Sequence, residues 1–230
     1  MLLTETTPVG QIVVEQPGLA GIFERLGLDY CCGGAKPLGQ ACHEKGIPVG
    51  EVLRELSEAA AQASQPAPQW ESLAELASQI VERHHDYLRR QLPVLRGQLE
   101  RVLRAHGARH PELLRLQEVF QAFELDIFEH MDREEGVLFP LIARLELSPE
   151  SQRTGFSLEG VVQAMEHEHE QAGRDLARMR QITSGYVPPS DACTTYRTLY
   201  AGLAELERDM HQHVHTENNI LFPAAQNLCA

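Results

Sequence analysis

Apolar residues recur at steps of three and four along most of the chain, with charged residues between them. "EVLRELSEAAAQ", "ESLAELASQIVERHHDYLRRQL" and "ELLRLQEVFQAFELDIFEHM" all carry this period, which gathers their apolar side chains on one face of a helix. Few stretches alternate with period two, so an almost all-α protein is expected. Breaks near "HGARHP", "LSPESQRTG" and "SGYVPPSDA" leave four long helical segments, about residues 70–105, 111–145, 156–184 and 191–227. Short connections favour antiparallel neighbours, so the expected architecture is an up-down-up-down four-helix bundle. Residues 62–69, "QASQPAPQ", join two prolines to small polar residues and read as a linker. The linker separates a small helical domain, residues 1–61, from the bundle, residues 70–230, which is long enough to bury a core.

Composition narrows the function. The formal net charge is −13, from 33 acidic and 20 basic residues, and such a surface repels phosphate backbones. Nucleic acid is therefore not an expected partner. No run of about 18 apolar residues occurs, so no membrane span is expected. The opening "MLLTETTPVG" lacks a basic region and an apolar stretch and does not read as a secretory signal. Five cysteines, an odd number that includes the adjacent pair Cys31-Cys32, fit a reducing cytoplasm better than a disulfide framework. There are eleven histidines, and their placement matters more than their number.

"FELDIFEHMDREEGVLFP" and "LERDMHQHVHTENNILFP" align without gaps at an offset of 83, with seven of eighteen positions identical. The shared residues are Glu124/Glu207, Asp126/Asp209, His130/His213, Glu134/Glu217 and a terminal Leu-Phe-Pro. A fainter match joins "ERHHDYLRR" to "EHEHEQAGR" at an offset of 84, pairing Glu82 with Glu166 and His85 with His169. One helix pair has been duplicated. Residues four apart share a helical face, so His130 and Glu134 reach one point, as do His213 and Glu217. Two antiparallel copies aim both pairs at a common centre, and His85 and His169 add one imidazole each. Four nitrogens and two carboxylates inside a bundle suit a pair of iron or manganese ions.

A single His-x-x-x-Glu is ordinarily a surface ion pair worth a few tenths of a kcal/mol. A solvated face has little reason to repeat both the spacing and its apolar flanks, and that favours metal. The duplication also selects His85 over His84 and His169 over His167. His211 and His215 are expected to be partly exposed, and His43, His106 and His110 to hold no ligand role. A rival, ferritin-like wiring would use Glu82-x-x-His85 and Glu166-x-x-His169 with Glu134 and Glu217, leaving His130 and His213 idle. In the favoured wiring, Glu82 and Glu166 orient histidine rings from outside the centre, with Asp126 and Asp209 as further candidates. The repeated proline, Pro140 or Pro223, is expected to bend the chain away just past the metal layer.

These residues resemble a known family. A duplicated His/Glu bundle of hemerythrin type, preceded by a small domain bearing Asp29-Tyr30-Cys31-Cys32-Gly33-Gly34, is similar to the RIC (repair of iron centres) proteins over essentially the whole chain. The family's ligand positions fall on His85, His130, Glu134, His169, His213 and Glu217. The resemblance implies a cytoplasmic di-iron protein that restores iron–sulfur clusters damaged by nitric oxide or peroxide. Its implied partners are damaged iron–sulfur proteins or an assembly scaffold, and a homodimer is compatible with it.

The expected cofactor is two irons bridged by both carboxylates and by an oxo or hydroxo group. Two octahedral irons offer about twelve positions, of which four histidines, two bridging carboxylates and the bridging oxygen fill ten. The open positions would take nitric oxide or dioxygen, so nitric oxide reduction and gas sensing or carriage stand beside repair. Cys31 and Cys32 are expected in an open turn as redox or metal-transfer thiols. Cys42-His43 matches no standard zinc spacing, and Cys193 and Cys229 are taken as incidental.

Overall fold

The computed structural model describes residues 3–62, 70–147 and 158–229, and every regular element among them is helical. Beyond Gln62, the expected linker lies outside these residues, as does nearly all of the break expected at 147–155. In the N-terminal part, α1 (Val9–Glu15), α2 (Ala20–Leu26), α3 (Leu38–Lys45) and α4 (Val49–Gln62) enclose a core that includes Ile12, Phe23, Tyr30, Leu38 and Leu56. Between α2 and α3 the chain folds around Asp29. Its Oδ1 accepts from the amides of Cys31 and Cys32 at 3.0 Å each, and its Oδ2 from that of Gly33 at 2.9 Å. An aspartate that caps three successive amides explains why "DYCCGG" interrupts the helical pattern.

Four rods follow. The first is α5 (Leu73–Ile80) and α6 (Asp86–His106), and the second is α7 (Glu112–Arg133) and α8 (Phe139–Leu147). The third is α9 (Leu158–Ile182), and the fourth is α10 (Thr194–Thr216) and α11 (Phe222–Asn227). Around the bundle α6 lies between α7 and α10, and α9 packs on the same two helices. At the α6–α10 crossing the chains come close: a Cβ on Gly202 would stand 2.6 Å from Leu95 Cδ2.

Three rods widen for one turn. Over Val81–His85, Glu134–Leu138 and Glu217–Leu221 the closing amide bonds the carbonyl five residues back. Such π turns recur at functional sites, and each one here begins or ends at a member of the His/Glu set. They also correct the expectation for the prolines. The chain does not turn away at Pro140 or Pro223 but continues as α8 and α11. Each proline is the second residue after a π turn, so the rod continues with a single amide missing from it.

The continuation makes two apolar cores instead of one. Leu88, Leu92, Phe120, Phe123, Leu176, Leu199 and Leu203 belong to the larger. Leu76, Ile80, Phe139, Ile142, Val162 and Phe222 belong to the smaller. The histidine and glutamate residues lie between the two in every rod. A second repeated feature marks the pseudo-two-fold relation. Arg96 Nη1 contacts both oxygens of Glu124 at 3.1 Å, and Arg180 Nε contacts both oxygens of Glu207 at 3.0 Å. Glu124 and Glu207 are buried, so loss of either arginine strands a buried charge.

Candidate metal centre

The structure brings His85, His130, Glu134, His169, His213 and Glu217 into one layer, each at most 2 % exposed. They form two histidine pairs. His85 Nε2 and His213 Nε2 are 3.2 Å apart, and His130 Nε2 and His169 Nε2 are 3.1 Å apart. Glu134 presents Oε2 to His85 at 3.2 Å and Oε1 to His130 at 3.3 Å. Glu217 presents Oε1 to His213 at 3.2 Å and Oε2 to His169 at 3.1 Å. Each carboxylate thus turns one oxygen to each histidine pair. All four oxygens are buried without a hydrogen-bond partner. Buried carboxylate oxygens are costly unless something positive faces them, so this donor set fits a pair of cations.

The rings are held from behind. His85 Nδ1 lies 2.7 Å from Glu135 Oε1, His130 Nδ1 2.7 Å from Glu168 Oε2, and His169 Nδ1 2.7 Å from Asn218 Oδ1. An acceptor at Nδ1 fixes the tautomer and turns the Nε2 lone pair inward. His213 Nδ1 has no such partner. Its ring is stacked instead against His84, 5.2 Å away and 7° from parallel, whose Nδ1 meets Asp209 Oδ1 at 2.9 Å. The repeated Leu-Phe-Pro finds a use here as well. Phe139 stacks on His85 and Phe222 on His169, each at 5.8 Å.

The electrostatics follow the geometry. Burial opposes charge on Glu134 and Glu217, yet the histidines facing them outweigh it and hold both carboxylates below the usual range. Burial likewise opposes protonation of His130, but Glu134, Glu168 and Glu217 overcome it and push that ring up to about 10. At His213 burial wins and the pKa falls.

Two comparisons decide the family. A model described as the hemerythrin HHE cation binding domain matches residues 76–225, and the ScdA N-terminal model, a domain of unknown function (DUF542), matches residues 5–60. The iron-sulfur cluster repair protein YtfE of Pectobacterium carotovorum is 36% identical over 219 residues, covering 94% of this chain and 95% of that protein. YtfE of an Enterobacter species is 34% identical over 218 residues, covering 95% of this chain and 96% of its own. The chain belongs to the RIC family. In this RIC protein the buried His/Glu cluster lies within the residues that the cation-binding model matches.

Several expectations about the surroundings are corrected. Glu82 and Glu166 are exposed and orient no ring, because their carboxylates leave the helices on the solvent side. Asp126 is exposed too, on a face of α7 that borders a cavity. Asp209 touches no ligand ring directly in these contacts and instead meets His84 Nδ1 at 2.9 Å. The residues that orient the rings adjoin ligands in sequence: Glu135 and Asn218 each follow a glutamate, and Glu168 and His84 each precede a lone histidine. Polar identity at those four aligned neighbours was the available signal.

His215 is buried, not partly exposed, because the N-terminal domain covers it. Its Nδ1 lies 3.2 Å from the Tyr30 carbonyl, and burial lowers its pKa to about 4. Asn219 donates from Nδ2 to the carbonyls of Tyr30 and Cys31, at 3.3 and 3.0 Å, while its amide group fits between Gly10 and Gly34. His211 is half-buried against Glu24, 2.9 Å away. Gly136 occupies the position matching Asn219 in the first copy, and a Cβ there would meet nothing within 4 Å, so the N-terminal domain packs on only one of the two related faces among the described residues.

Docking also settles where the thiols lie. Cys31 is buried in the larger bundle core, and Cys32 is half-buried with Sγ 3.6 Å from the His169 carbonyl oxygen. The turn that carries them packs against α9, with both cysteines on the wall of a cavity. The neighbouring Cys32 thiol, burial and Asp29 together raise the Cys31 pKa well above its ordinary value, which keeps it protonated. Cys42 is fully buried in the N-terminal core while His43 is exposed. His106 is buried, and it approaches His110 and Asp191 at the far end of the bundle.

Proposed function

We propose that His85, His130, Glu134, His169, His213 and Glu217 hold two iron ions, with both carboxylates bridging, and that the protein repairs damaged iron–sulfur clusters. The observation that carries this reading is the split of each carboxylate between the two histidine pairs, with four buried oxygens that no hydrogen bond serves. The relatives named iron-sulfur cluster repair proteins match nearly the whole chain. Bound iron would supply one-electron chemistry and exchangeable metal to such a cluster. The chain's own residues bind, orient and shield. Glu135, Glu168 and Asn218 aim three rings, Phe139 and Phe222 close the layer on the side of the smaller core, and the larger core excludes water from the other.

A cavity of about 240 Å³ between α7 and α9 borders His130, Glu168 and His169, with Phe123, Ile127 and Ala172 in its wall. It lies against one histidine pair, His130 and His169. Small ligands and departing iron would use this side. The same cavity supports nitric oxide reduction as a second reading, identified by catalytic nitrous oxide formation under a steady electron supply.

Repair is tested with an iron–sulfur enzyme inactivated by nitric oxide. Iron-loaded protein should restore its activity, and metal-free protein should not. Equal recovery from free ferrous iron at the same concentration would rule out a role for the centre. The orienting residues have their own test: Glu168→Ala should leave two irons bound but lower affinity roughly 10- to 100-fold, measured by chelator competition. An unchanged affinity would show that the His130–Glu168 contact does nothing for the metal.

A further inference from the structure

At the end of the bundle away from the centre, three more potential ligands converge. His106 closes α6, His110 stands in the connection to α7, and Asp191 precedes α10. One ring nitrogen of each histidine and one carboxylate oxygen all lie within 4.8 Å of one another. His110 Nδ1 is 3.0 Å from Glu112 Oε1, and its Nε2 is 3.0 Å from Asp191 Oδ1. The other Asp191 oxygen faces Arg109 Nη1 at 3.5 Å. His106 is 6 % exposed against Tyr196, and its Nδ1 is buried without a hydrogen-bond partner.

The construction repeats that of the main centre. There Glu135 stands at Nδ1 of His85 while Nε2 comes within 3.2 Å of a carboxylate oxygen. Here Glu112 stands at Nδ1 of His110 and Asp191 meets Nε2. Once the Nδ1 proton is donated to Glu112, Nε2 and Oδ1 are two acceptors in contact, and something positive must join them. A second ring proton would satisfy those two atoms and leave the buried His106 nitrogen unpaired, which is costly. A metal ion among them would take one nitrogen from each histidine and one Asp191 oxygen. Two ligand atoms each about 2.1 Å from a tetrahedral zinc-like ion stand about 3.4 Å apart, and His110 Nε2 and Asp191 Oδ1, at 3.0 Å, are close to that spacing.

We infer that His106, His110 and Asp191 form a second binding site, for one divalent transition-metal ion such as zinc or ferrous iron, with Glu112 orienting His110. Two imidazoles and a carboxylate suit that class of ion better than magnesium or calcium, and water completes the coordination. Asp191 and His110 side chains are 39% and 16% exposed, so the site opens to solvent. A bound ion ties the α6–α7 connection to the segment ahead of α10.

The test uses iron-loaded, full-length protein equilibrated with zinc sulfate, passed through gel filtration and analysed for both metals. The expected result is one zinc per chain beyond the retained iron. Asp191→Asn and His110→Gln should each lose that zinc while keeping their iron and their helical circular dichroism. Both changes are made at partly exposed side chains outside the iron centre. Absence of retained zinc, zinc gained only in exchange for iron, or equal uptake by wild type and both variants would overturn the inference.

Discussion

Glu217→Leu is expected to leave the protein with one iron per chain or none, and Glu134→Leu to do the same. A histidine variant removes one nitrogen from one half of the centre, but either glutamate variant removes an oxygen from both halves at once. The loss of affinity should therefore exceed the roughly 10- to 100-fold expected for an orienting residue. Leucine nearly matches glutamate in volume and needs no hydrogen bond, so the helices should still form around it. Two measurements separate the outcomes: iron per chain after anaerobic loading, and the rise in melting temperature on loading. Metal that binds only the folded chain raises stability by mass action, so wild type should gain and the variants should gain little. Full iron content in both variants would show that neither carboxylate is shared.

Gly34→Val is expected to release the N-terminal domain without emptying the centre. A Cβ at this position would overlap Asn219 Oδ1, which already abuts Gly10 on its other side. The amide must then rotate away and give up its bonds to the Tyr30 and Cys31 carbonyls. At about 1 kcal/mol for each lost bond, the docked state weakens by about 2 kcal/mol. Cys31 and Cys32 lie beneath that contact, and thiol labelling that depends on opening should accelerate roughly 10- to 30-fold. Iron content should not change. If labelling stays at the wild-type rate, the domain is held by something other than Asn219. The same contact bears on the proposed redox or transfer role of the two cysteines, because it holds the turn that carries them against α9.

The duplication made the six residues of the centre legible in the sequence, since it repeated both the spacing and the apolar flanks. The rods were legible for a related reason: the three- and four-residue period runs through them, and their ends fall within a few residues of the breaks. The π turns were not. One extra residue in a single turn barely disturbs that period. Glu135, Glu168 and Asn218 escaped because each reaches a ring on a neighbouring rod, and helical spacing describes only partners on the same helix. Glu82 and Glu166 drew attention through the i, i+3 pattern, yet they face solvent. His215 was misjudged because its cover comes from residue 30, far away in the chain.

Mössbauer spectroscopy of protein loaded with isotopically enriched iron tests the shared centre most directly. Two irons per chain should appear as an exchange-coupled pair, giving quadrupole doublets without magnetic splitting at liquid-helium temperature in a weak field. A magnetically split spectrum from isolated ferric ions, or one iron per chain, would contradict it.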